Sequence, residues 1–160
     1  MASAQPKKGY LSLVVFIFVV SCATAEIVTF ENCGSKSYPV SIDIHSCAEA
    51  PCIILNGTQE NVTLTFLASY TSSSLADEAN LRIKTAKVPV DVIPEPCGSG
   101  SSITCPMEAS DTPYEFNSTL LIPTDAAPVD AYLELKLLDY IGEIMVCYRV
   151  GVRIFREYPS

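Results

Sequence analysis

Val146-Cys147-Tyr148-Arg149-Val150-Gly151-Val152-Arg153-Ile154 is the stretch that decides the fold. Side chains alternate between the two sides of an extended chain, so Val146, Tyr148, Val150, Val152 and Ile154 share one face while Arg149, Gly151 and Arg153 share the other. This is a half-buried strand. The same period returns upstream, with Val40, Ile42 and Ile44 set against Ser41, Asp43 and His45, and Val62, Leu64, Phe66, Ala68 and Tyr70 set against Thr63, Thr65 and Ser69. Shorter copies occur at Leu81-Ile83-Thr85, Val88-Val90-Val92, Tyr114-Phe116-Leu120 and Leu133-Leu135-Leu137. Turn formers separate them: Asn56-Gly57, Ser72-Ser73-Ser74, Gly98-Ser99-Gly100 and Ala127-Pro128. No segment carries a capped helical stripe, the best candidate being Ser74 to Ala79. Strands with one apolar face each predict an all-β chain, a β-sandwich of two antiparallel sheets whose apolar faces meet.

The first 25 residues read as an export signal. Lys7 and Lys8 precede an apolar run from Leu11 to Val20, and Ala23-Thr24-Ala25 is a small-residue cleavage pattern before Glu26. The fully apolar stretch is too short for a membrane anchor, which takes roughly 20 residues. Residues 26–160 then form one domain's length of chain, expected to be soluble and monomeric. Loss of Lys7 and Lys8 leaves eight basic residues against eighteen acidic ones, a formal charge of −10. So acidic a chain repels phosphate backbones, and its one basic cluster, Arg82, Lys84 and Lys87, is too small to reverse that; nucleic acid is excluded as a partner.

Seven cysteines are present, and with Cys22 inside the leader six remain. An even number in an exported chain implies disulfides, formed in the oxidising secretory pathway. Connectivity does not follow from sequence. Sequence neighbours make Cys47-Cys52 and Cys97-Cys105 the simplest short bridges, leaving Cys33 with Cys147 as a long one.

Order and spacing of several motifs carry a resemblance. These are Cys33-Gly34, Cys47, Pro51-Cys52, Val88-Pro89-Val90, Ile93-Pro94-Glu95-Pro96-Cys97, Ile103-Thr104-Cys105-Pro106, and Cys147 followed by an aromatic. Together they resemble the ML-domain lipid-recognition family over the whole mature chain, closest to the cholesterol-transfer proteins of the Niemann-Pick type C system and to the second-group dust-mite allergens. The resemblance implies an immunoglobulin-like sandwich with an apolar inter-sheet cavity for one lipid, a sterol or alternatively a fatty acid or other lipid. It implies pocket walls at Ile44, Ile54, Val62, Val90, Leu135, Leu137, Tyr148 and Val150, a gate position at Val92, and an entrance strand through Leu120 and Ile122. It also implies transient contact with a membrane or membrane receptor, no cofactor, and a secreted protein or one of the endosomal and lysosomal lumen. The alternative within the same fold is an innate-immune lipid co-receptor or a sequestering binder without transfer. The family's gate aromatic is absent at Val92, Ala127 stands where an entrance tyrosine is expected, and there is no Trp.

Enzyme chemistry lacks parts. His45 is the single histidine, and Asp43 shares its strand face whereas Ser46 does not, so no triad can be read from the spacing. With every mature cysteine assigned to a bridge, neither metal binding nor thiol chemistry has ligands. The acidic pairs Asp77-Glu78 and Asp139/Glu143 read as solvated turn residues rather than glycosidase carboxylates. Three glycosylation sequons begin at Asn56, Asn61 and Asn117; Asn56, in a turn dipeptide, is the best candidate.

Overall fold

The structure is a computed structural model describing residues 28–156, so the leader and its cleavage site lie outside the described residues. Every regular element described is a strand: β1 (Glu31–Asn32), β2 (Tyr38–Ile44), β3 (Cys52–Leu55), β4 (Gln59–Leu67), β5 (Ala76–Ile83), β6 (Ala86–Ile93), β7 (Tyr114–Leu121), β8 (Asp130–Leu138) and β9 (Ile144–Phe155). They form the expected sandwich. The first sheet holds β1, β9, β8, β5 and the start of β6; the second holds the end of β6, then β7, β4 and β2.

Two features go beyond what the alternation showed. Strand β6 belongs to both sheets: Ala86 to Val90 pair with β5, and Asp91 to Ile93 pair with β7. The short β3 adds to β9 in parallel, Cys52 opposite Val152 and Leu55 opposite Phe155, while the other pairings are antiparallel. The helical candidate Ser74 to Ala79 is a strand from Ala76 onward, with Ala79 and Leu81 turned inward. Its Asp77-Ala79-Leu81 alternation outweighs helix propensity, because packing an apolar face contributes more than local preference. Val40 also departs from its predicted face. A bulge between Pro39 and Ser41 turns it outward to 46% exposure, whereas Ile42 and Ile44 stay buried.

Inward faces fill the core. Val146, Tyr148, Val150, Val152 and Ile154 of β9 are all buried, as are Leu133, Leu135 and Leu137 of β8 and Val62, Leu64 and Phe66 of β4. Each such side chain contributes about 1.5–3 kcal/mol of transfer free energy. Tyr148 also bridges the sheets: its hydroxyl donates to the carbonyl of Thr65 at 2.6 Å, and its ring packs on Phe30 at 5.0 Å between centroids. Cys33 is joined to Cys147, Cys47 to Cys52 and Cys97 to Cys105.

The outer face of the first sheet is held by charge. Glu134, whose side chain is 2% exposed, accepts from Arg149 at 3.0 Å, Arg82 at 3.3 Å and lies 3.2 Å from the Lys136 ammonium. Burial alone would raise its pKa. The hydrogen bonds from Arg149, Arg82 and Lys136 outweigh burial and hold the carboxyl at about 2. Because the folded value lies below the ordinary 4.5, this stabilisation is present above about pH 4.5 and lost as pH falls toward 2.

Two outcomes follow for stability. Replacing Cys33 and Cys147 by Ser should lower the melting temperature more than removing either short bridge, since on the chain-entropy model the long loop contributes about 5 kcal/mol and the short ones about 2–3; differential scanning calorimetry compares them. Glu134→Gln should cost about 2 kcal/mol at pH 7, less than the 3–5 of a fully buried pair because Arg82 and Arg149 are partly solvated. In urea titrations the difference from the unsubstituted protein should shrink below pH 4; a constant difference would sink the assignment.

Candidate functional site

The exchange of β6 between sheets creates the main opening. Beyond Val90 the strand leaves β5, so Ala76 to Glu78 pair only with β8, and the sheets part along that edge. A groove of about 720 Å³ follows the seam, lined by Leu75 to Asn80, Pro89 to Ile93, Glu95, Pro96 and Leu121. Behind it, between the sheets, lies a small space lined by Leu64, Val92, Phe116, Ser118, Leu135 and Leu137 together with Asp77, Glu78, Ala79 and Lys136. That space leaves about 10 Å³ for the centre of a water molecule, room for one water at most. Asp77, Glu78, Ala79 and Val92 border both volumes. Half-buried Val92 therefore stands between the groove and the interior.

The seam is also where the fold is least tied together. Only Asp91, Val92 and Ile93 connect β6 to β7, opposite Leu121, Leu120 and Thr119. Cys97-Cys105 closes the loop that follows, and Gly98 donates to the carbonyl of Glu95 at 3.0 Å, fixing the rim.

The rim is acidic. Asp77 projects to the same side of β5 as Ala79 and Leu81, toward the interior, and burial foremost, with the Glu95 charge adding to it, raises its pKa. Glu78 turns outward, where the Lys136 ammonium donates to it at 2.9 Å and lowers its pKa. Sequence reasoning took this pair as solvent-facing turn residues; the structure places it at the mouth. The signal was present in the Asp77-Ala79-Leu81 alternation. Ser118, also unmarked in the sequence, occupies the inward face of β7 between Phe116 and Leu120.

The expected wall residues divide into groups. Val92, Leu135 and Leu137 line the inter-sheet space, and Val90 with Val92 lines the groove. Ile44, Ile54, Val62, Leu120, Ile122, Tyr148 and Val150 are buried in the core but border neither volume. Ile122, expected at an entrance, is 4% exposed, and its amide donates to the Thr58 carbonyl at the far turn.

Elsewhere the chemistry is structural. His45 and Asp43 sit on the outer face of the second sheet beside Thr63 and Thr119, while Ser46 donates to Glu60 at 2.6 Å. Asp139 accepts from the amides of Ile141 and Glu143 and from the Tyr70 hydroxyl, closing the β8–β9 turn. Among the described residues no group of three or more His, Cys, Asp or Glu is placed to hold a metal. The sequons separate as well. Asn61 lies opposite Thr119 and Asn117 opposite Thr63, so two sequons run in antiparallel register on the exposed outer face of the second sheet. Each of these asparagines accepts a threonine hydroxyl through Oδ1. The Asn56 amide instead donates to the carbonyls of Thr124 and Ala126, tying down a turn where Gly57, at φ +76°, has the Thr124 methyl 3.1 Å from any added Cβ.

Known proteins share the family sequence pattern and the fold. A sequence model of the ML domain matches residues 27–154. NPC intracellular cholesterol transporter 2 of Mus musculus is 26% identical over 142 residues, covering 88% of this chain and 94% of its own. The protein of the same name from Danio rerio is 29% identical over 143 residues with the same coverages. Among solved structures, a Niemann-Pick type C2 protein from Japanese carpenter ant superposes with a TM-score of 0.69 at 21% identity, covering 79% of this chain and 99% of that one. Chicken MD-1 complexed with lipid IVa gives 0.51 at 10% identity, covering 78% and 86%.

Asn56→Ala should cost about 1–2 kcal/mol through its two lost hydrogen bonds, whereas Asn61→Gln and Asn117→Gln should stay within about 0.5. Urea unfolding of enzymatically deglycosylated protein measures this without interference from sugar.

Proposed function

The chain belongs to the ML-domain family, and on that premise we propose that it takes up a single lipid, a sterol or a molecule of similar size, between its sheets and passes it to a membrane or membrane receptor. The observation that carries the reading is the continuity of the seam groove with the inter-sheet space through Val92 and Ala79. The groove has the volume of an ordinary small-ligand site, and the interior behind it presents Leu64, Phe116, Leu135 and Leu137. A lipid entering there separates β6 from β5, or β6 from β7 at its three register pairs, and buries its apolar body at roughly 25 cal/mol per Å². Val92 forms the gate, and the remaining core positions shift outward around the guest.

Binding and release need no chemistry on the lipid. The comparisons support a family that binds lipids; the sterol is proposed from the relatives' names and from the volume of the seam groove. Export into the secretory route, with glycans on the outer face of the second sheet at Asn61 and Asn117, belongs to the same proposal. In it the protein works as a monomer.

The mouth carries Asp77, Glu78, Asp91 and Glu95, with Lys136 opposing Glu78 and Lys87 nearby. At neutral pH these carboxylates repel an anionic bilayer over about one Debye length, roughly 8 Å at physiological salt. Because the Asp77 pKa is raised, this group loses its charge before an ordinary aspartate as pH falls.

Mass spectrometry of an organic extract of the secreted protein should find one lipid per chain, and Val92→Trp should reduce dehydroergosterol uptake at least about tenfold with an unchanged circular dichroism spectrum. Transfer to anionic vesicles should run faster near pH 5 than at pH 7.4. Equal rates at both pH values, with lipid bound, would instead indicate sequestration or immune recognition.

A further inference from the structure

Four polar residues interrupt the apolar lining of the inter-sheet space: Glu78 and Lys136, which pair with each other at 2.9 Å, and two that do not pair, Asp77 and Ser118. Asp77 enters from β5 in the first sheet and Ser118 from β7 in the second, and both border the volume formed by Leu64, Val92, Phe116, Leu135 and Leu137. Ser118 is 8% exposed; its hydroxyl has no hydrogen-bond partner among the described residues yet is not sealed off, since Arg82 Nε is the one fully buried unpaired side-chain atom described. Asp77 likewise takes part in no ion pair among the described residues, although its neighbour Glu78 is paired with Lys136. A hydroxyl open to the space, and a carboxylate on an apolar wall bonded within the protein only to its own backbone amide, can each take up a partner from a guest. Both sit just behind Val92, where the polar end of a lipid would lie with its apolar body further in.

We propose that Asp77 and Ser118 form the head-group site of the pocket and select a lipid whose polar end donates a hydrogen bond and carries no negative charge. The inference rests on the lipid-carrier reading and adds the chemistry of the ligand. An alcohol donates its O–H to the Asp77 carboxylate and accepts from the Ser118 hydroxyl; a long-chain ammonium donates to both oxygens and pairs with the charge. A lipid carboxylate or phosphate meets a like charge at short range in a medium of low dielectric, with Glu95 and Asp91 adding to the repulsion at the rim. Lys136 also borders this space, but its ammonium is committed to Glu78 at 2.9 Å and Glu134 at 3.2 Å. Arg82 and Lys84 line a separate depression with Arg153 and Tyr132 on the outer face of the first sheet, away from the mouth.

The test uses the delipidated mature chain at pH 7.4 and three probes: dehydroergosterol for the hydroxyl, sphingosine for the amine, and cis-parinaric acid for the carboxylate. The first two should bind at least about tenfold more tightly than the third. Asp77→Asn, which keeps the side-chain volume, should raise cis-parinaric acid affinity about tenfold and lower that of sphingosine, leaving dehydroergosterol within about threefold. Ser118→Ala should weaken dehydroergosterol a fewfold without helping the acid. An unchanged ranking in Asp77→Asn, or an unsubstituted protein that prefers the fatty acid, would overturn the head-group site while leaving the carrier intact. Failure of every probe to bind would remove the carrier reading and this inference with it.

Discussion

Strand β6 cannot serve two sheets along its whole length, and the rest of the site depends on that constraint. Its backbone donors and acceptors are spent on β5 as far as Val90 and on β7 from Asp91 onward. Where pairing changes partner, the edge of β5 from Ala76 to Glu78 is left open on one side. An exposed edge normally invites further strands. Here it is bounded by Glu95 and Pro96, held by the Cys97-Cys105 loop that follows, so it becomes the wall of a groove.

The remainder of the sandwich is fastened more firmly. Cys33-Cys147 ties the first strand to the last, the Tyr148 hydroxyl crosses from β9 to the Thr65 carbonyl, and Glu134 gathers three cations from three strands. Core packing of this density resists uniform expansion, since interiors behave as close-packed solids. Deformation therefore concentrates at the seam, with its three β6–β7 register pairs and half-buried Val92. A filled core and a lipid carrier are compatible on that account: the guest opens a weak seam rather than occupying a permanent hole.

How much of this was legible depended on the range of the interactions. Period-two alternation marked β2, β4, β7, β8 and β9 because each buries one face, and the cysteine order with the Pro-Glu-Pro segment carried the family. The transfer of β6 left no trace, since Val88, Val90 and Val92 alternate identically whichever sheet they serve. The wall positions illustrate the same limit. Alternation separates inward from outward residues but not those beside the seam, such as Leu135 and Leu137, from those packed deeper, such as Ile54 and Val150. Asn56 looked favourable for a glycan because turns expose their tips; its amide is instead spent on two carbonyls some seventy residues away, a contact only tertiary structure creates.

Glu134 and Asp77 show how one fold places acids for opposite ends. Both are partly desolvated, which alone raises a carboxyl's pKa. Glu134 has three cations within reach and is held at about 2, so its ionised form stabilises the fold above about pH 4.5 and fades only as pH drops toward 2. Asp77 has no cation partner among the described residues and faces Glu95, so its ionised form opposes the fold and the strain is relieved as pH falls through its raised value. A pH near 5 thus lies above the window in which the outer-face network fails. The Asp77 carboxyl, its pKa raised, gives up its charge ahead of an ordinary aspartate as pH falls, so loosening at the seam is electrostatically separable from failure of the outer-face network.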